Sequence, residues 1–78
     1  MAVYEVSTAV GARIRQVRLG LGLTQRELGE AVGVGQAAVS CWEHGRRSIT
    51  VDWLVLVAQA LEVRCSDLLP EEGRCGGV

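Results

Sequence analysis

Seventy-eight residues bound the chain to one small domain, near the lower size at which a hydrophobic core forms unaided. The composition is 49% hydrophobic with a single proline, which excludes a disordered chain, and the longest unbroken apolar run, Trp53–Ala58, is far too short to cross a bilayer. The net charge of −1 does not announce a nucleic-acid partner, but it is unevenly spread: residues 1–50 carry six Arg against four acids, residues 51–78 two Arg against five.

In chain order, residues 1–7 are expected to form an N-terminal arm, and Ser7 or Thr8 to cap a first helix. Val10, Ile14, Val17 and Leu21 then fall on one apolar stripe, with Arg13, Arg15 and Arg18 on the other faces. Glycines at 20 and 22 predict its end. Thr24 with Glu27 three residues on is a capping box, so a second helix runs from Gln25 to about Val32, with Leu28, Ala31 and Val32 inward. Gly29 inside it costs about 1 kcal/mol relative to Ala, which predicts close approach by another helix. Gly33-Val34-Gly35 is a tight break. A third helix spans about Gln36 to His44, with Val39 and Trp42 inward and Gly45 as its stop. Arg46, Arg47 and Ser48 form an exposed loop, and Thr50 caps a fourth helix running to about Leu61. Ser66 is expected to cap a short fifth helix, Asp67–Leu69, and residues 70–78 to be a mobile tail.

Cys41, Cys65 and Cys75 are odd in number and widely spaced, with no CxxC pair, so neither a metal site nor a cofactor is expected. One His without a paired nucleophile argues against an enzyme. The N-terminal MAVYEVSTAV lacks the basic start and long apolar core of a signal peptide, so a cytoplasmic, nucleoid-associated location is expected and no membrane partner.

Two short helices joined by a glycine turn outline a helix-turn-helix over residues 24–44. The residues Thr24-Gln25, Leu28, Gly33-Val34, Val39-Ser40, Glu43, Gly45, Leu54, Val57-Ala58, Leu61, Val63 and Leu68-Leu69 resemble the Cro/C1-type (XRE) helix-turn-helix domain of phage repressors and bacterial regulators, over about residues 8–69. The resemblance implies an all-α, compact five-helix, lambda-repressor-like DNA-binding domain. It also implies a partly buried ion pair between Arg18 and Glu43, and base reading by Gln36, Ala37 and Cys41. Glu62 stands where relatives commonly have Gly, which predicts a less sharp turn after the fourth helix.

The residues themselves fit that role. A helix entering a major groove ~12 Å wide must be slim on its outer face, and Gln36 through Ser40 are small apart from Gln36. Gln36 can offer a donor and an acceptor together to adenine, while Ala37 can touch thymine methyls. Phosphate contacts are expected from Thr24 and Gln25 at a helix N-terminus, and from Ser40, His44, Arg46, Arg47 and Ser48. The fourth helix is apolar nearly all round, leaving Val51, Trp53 and Leu56, with Arg64 and Cys65 beyond it, as a surface for a second copy or another protein partner. A two-fold dimer would set two reading helices about 34 Å apart on an inverted repeat of double-stranded DNA, as in a repressor. The competing reading is an antitoxin or adaptor that keeps the fold for a protein partner.

Overall fold

The structure, a computed structural model, describes residues 3–70. Four helices follow one another: α1 (Val3–Gly20), α2 (Gln25–Val32), α3 (Gln36–Glu43) and α4 (Val51–Leu61), then a single 3-10 turn, Cys65–Leu68. No strand occurs among the described residues, and none of these helices is long and apolar enough to cross a membrane.

Local chemistry starts the helices. Glu27 N–H donates to Thr24 Oγ1 at 3.0 Å, and Thr24 N–H donates to Glu27 Oε1 at 2.8 Å, completing the expected box. Thr50 Oγ1 accepts from Trp53 N–H. The exits of all four helices share one geometry, in which an amide just past the helix reaches back five positions. These bonds run from Leu23 to Arg18, Val34 to Gly29, Arg46 to Cys41 and Val63 to Ala58, each through a residue in the left-handed region. That residue is Gly22 after α1, Gly33 after α2 and Gly45 after α3, but Glu62, at φ 61°, after α4. The turn after α4 is therefore as tight as the others, contrary to expectation, and its side chain carries backbone strain instead.

The core gathers one stripe from each helix: Val10 and Ile14 from α1, Leu28 from α2, Val39 and Trp42 from α3, Leu54, Val57, Ala58 and Leu61 from α4, closed by Leu68. Several expectations are corrected here. The first helix begins at Val3, so residues 3–7 are helical and neither Ser7 nor Thr8 is its cap. Leu21, one residue past the end of α1, is half-exposed, and Ala31 is exposed. Gly29 makes room not for a helix but for the turn that follows it: a Cβ there would lie 2.7 Å from the Val34 carbonyl oxygen. The last element is a 3-10 turn capped by Arg64, whose N–H donates to Asp67 Oδ2 at 3.0 Å, rather than a helix capped by Ser66. The tail expected over residues 70–78 lies outside the described residues beyond Pro70.

Replacing Glu62 by Gly should relieve the left-handed strain and raise stability by about 1 kcal/mol, read as a higher melting temperature in thermal unfolding. Gly11→Ala should cost about 3 kcal/mol in denaturant unfolding, since its Cβ would meet the Trp42 carbonyl oxygen of α3.

Candidate nucleic-acid interface

α3 is held at both ends, and this sets which face it shows. At its N-terminal end the turn from α2 closes over Gly29. At its C-terminal end the Trp42 and Glu43 carbonyls rest on Gly11 of α1, where any side chain would collide. Val39 and Trp42 fill the core between these supports. The opposite face carries Gln36 and Ala37, both exposed, with Ser40 and Cys41 half-exposed one turn on.

Beneath that face lies a buried ion pair. Arg18 Nε donates to Glu43 Oε2 at 2.6 Å and Nη2 to Oε1 at 3.0 Å, with the Glu43 side chain wholly enclosed. Arg18 Nη1 donates further to the Leu23 carbonyl at 2.7 Å, which ties in the α1–α2 turn. The remaining capacity of Glu43 goes to the surface: Gln25 Nε2 donates to Glu43 Oε1 at 3.1 Å. Gln25 Oε1 in turn accepts from Gln36 Nε2 at 3.4 Å. Gln25 opens α2 and Gln36 opens α3, so both helix N-termini meet at the mouth of this chain of bonds.

The other expected residues gather at the far end of α3. Arg46, Arg47 and Ser48 are exposed in the loop beyond Gly45. The loop is clamped to the first turns of α1: Ser48 and Ser7 hydroxyls are 2.6 Å apart, and Gly45 sits against Thr8, where a Cβ would be 2.6 Å from the Thr8 hydroxyl. Ser7 and Thr8 therefore position the arginine loop, a role that their reading as helix caps concealed. Gly11 was missed too, because a helical glycine without a turn carries no local signal. His44 Nδ1 lies 2.8 Å from the Ser40 carbonyl oxygen. That oxygen only accepts, so the ring donates to it from Nδ1. Thr24 lies beside Gln25 with its hydroxyl engaged in the cap.

On α4, Val51 and Leu56 are exposed, as are Val55 and, past the helix, Arg64. Trp53 and Cys65 are not part of a free surface. Trp53 packs against Trp42 at a centroid separation of 5.9 Å, and Cys65 is half-buried against the core.

A family model described as helix-turn-helix matches residues 14–68. The chain belongs to the Cro/C1-type helix-turn-helix family. A transcriptional regulator from the ATPase CF(0) region of Rhodospirillum rubrum is 36% identical over 61 residues, 78% of this chain and 56% of that protein. The clp gene regulator ClgR of Corynebacterium glutamicum superposes with a TM-score of 0.77 at 35% identity, covering 80% of this chain and 66% of its own. The P22 c2 repressor, solved with a synthetic operator, superposes at 0.73 and 35% identity, covering 77% and 91%. This helix-turn-helix domain spans about half the length of the curated relatives it matches.

Removing one partner of the buried pair, as in Arg18→Met, should cost ~3–5 kcal/mol of unfolding free energy by leaving the other charge unpaired. The double change Arg18→Met with Glu43→Leu should recover part of that loss in the same denaturant titration.

Proposed function

We propose that the chain is a sequence-specific DNA-binding transcriptional regulator, acting as a repressor, that reads the major groove with α3. The observation that carries this reading is the outward face of α3. It is slim, begins with an exposed Gln36 braced by Gln25, and ends beside an exposed arginine pair whose loop is clamped to α1. Gln36, Ala37 and Cys41 are the base-reading residues. Gln25, with Thr24 and Ser40 near the groove and Arg46, Arg47 and Ser48 in the loop, would take phosphates and set the register. His44, held at the end of α3 by its contact with the Ser40 carbonyl, would join these phosphate contacts. The likeness to the P22 c2 repressor, solved on an operator, supports the same mode of docking.

The protein acts as a two-fold dimer on an inverted repeat. What supports this is α4, which leaves Val51 73% and Leu56 43% exposed after the core is complete. Arg64 is exposed just past the helix, while Trp53 and Cys65 pack against the core.

Selection of sites from random duplex DNA should enrich an inverted repeat. Gln36→Ala should change the preferred base at one position per half-site. Arg46→Ala should weaken all sequences alike and lower the slope of log affinity against log salt by about one. An unchanged motif with Gln36→Ala would refute direct readout. No enrichment at low salt would favour a protein-binding adaptor, which has no need of Gln25, Gln36 or the arginine pair.

A further inference from the structure

Between α3 and the start of α4, beside the arginine loop, lies a cleft of about 340 Å³. Val34 and Ala38 line it from the α3 side and Trp53 from α4. Trp42, itself only 4% exposed, lines it from within. The two tryptophan rings form a tilted pair, with centroids 5.9 Å apart and planes at 42°. Ala38 leaves part of this space, since a longer side chain there would project into the cleft.

The polar groups of the cleft are mostly donors. Arg47 is exposed, and its guanidinium meets no carboxylate among the described residues. Thr50 Oγ1 already accepts from Trp53 N–H, which leaves its own proton to give. An indole nitrogen also only donates. No acidic side chain lines the cleft; Asp52, in the first turn of α4, is not among its walls. A cation would meet Arg47 and be repelled, and a wholly polar molecule would leave the aromatic and aliphatic walls without contact.

We propose that this cleft binds a small aromatic carboxylate, with its ring against the two tryptophans and its carboxylate on Arg47 and Thr50. Aromatic rings pair favourably when offset or tilted, at centroid separations of about 4.5–7 Å, so a third ring extends the existing pair. A guanidinium takes a carboxylate through two parallel bonds, which suits Arg47 at the edge of the cleft. The volume lies near the lower end of ligand cavities, roughly 300–1,000 Å³, and suits one ring or two fused rings. The site has a consequence for DNA, which rests on the reading of Arg47 and Ser48 as phosphate contacts given above. A bound carboxylate occupies the guanidinium that a phosphate would take, so ligand and DNA weaken each other's binding. The ligand acts as a releasing signal set directly beside the reading helix.

Trp42 and Trp53 are the only tryptophans in the chain, so two indole N–H signals in nitrogen-correlated NMR of the labelled full chain report on the cleft. Titration with benzoate and with 2-naphthoate, without DNA, should shift both signals, 2-naphthoate at the lower concentration. Arg47→Ala should weaken 2-naphthoate binding about tenfold, and the neutral naphthalene-2-carboxamide should bind wild type about tenfold more weakly. Ala38→Leu should fill the cleft and abolish the shifts. Arg47 is exposed and outside the core, so its variant keeps the test decisive if Ala38→Leu does not fold. Inorganic phosphate should leave the indole signals in place. Signals undisturbed by either carboxylate, equal binding of the carboxamide, or the same shifts from phosphate would each overturn the site while leaving DNA reading intact. On the selected duplex, saturating 2-naphthoate should lower wild-type affinity about tenfold and leave that of Ala38→Leu unchanged. An undiminished wild-type affinity would overturn the releasing role. A chain that selects no duplex would refute the proposed function, and the titration would still decide the site.

Discussion

Arg18 and Glu43 face each other across the interior with their closest atoms 2.6 Å apart, and the rest of the molecule is arranged around that contact. Arg18 ends the packed part of α1, and Glu43 is the last residue of α3. A buried ion pair adds little net stability over an apolar pair of similar volume, because both charges lose their water. Its value here is geometric. The guanidinium fork accepts only a narrow set of carboxylate positions, so the rotation of α3 about its axis is tied to α1. The third bond of Arg18, to the Leu23 carbonyl, brings the α1–α2 turn into the same arrangement.

Close backbone approaches complete what the pair begins. Gly11 admits the end of α3 against α1, and Gly29 admits the turn that launches α3 from α2. With both ends held and Val39 and Trp42 buried between them, α3 has no freedom to roll. Its exposed face is then defined by what remains: Gln36, Ala37, and the edges of Ser40 and Cys41. The arginine loop is positioned by similar means, with Gly45 against Thr8 and Ser48 bonded to Ser7. A short helix with few core residues of its own is thereby presented as a rigid surface.

Much of the fold was legible because helix ends are local events. Thr24 and Glu27 signal a start within four residues, and Gly22 and Gly45 mark stops. Where a signal was not local, the reading failed. Ser7 and Thr8 have the chemistry of caps, but the stripe through Val10 and Ile14 extends backward into Val6, which packs against the core and carries the helix to Val3. Glu62 lacks the glycine signature, yet the bonds from Glu62 and Val63 back to α4 impose the left-handed turn. Trp53 looked spare by periodicity, but Trp42 lies within reach of it across the α3–α4 angle. In the candidate site, the exposure of Gln36 and the arginine pair followed from their place outside the apolar stripe. The clamp on their loop did not, because it joins residues forty-one positions apart.

The amino-acid sequence by itself determined four helices, their order, most of their boundaries and the residues of their inner stripes, since capping and amphipathic periodicity act between neighbours three or four positions apart. The tertiary structure alone decided how α3 is rotated and what its first side chain bonds to. Those depend on Arg18 meeting Glu43 from twenty-five positions away and on Gln25 meeting both Glu43 and Gln36. A charge or an amide in a sequence has no direction until folding brings its partner within a hydrogen bond's length.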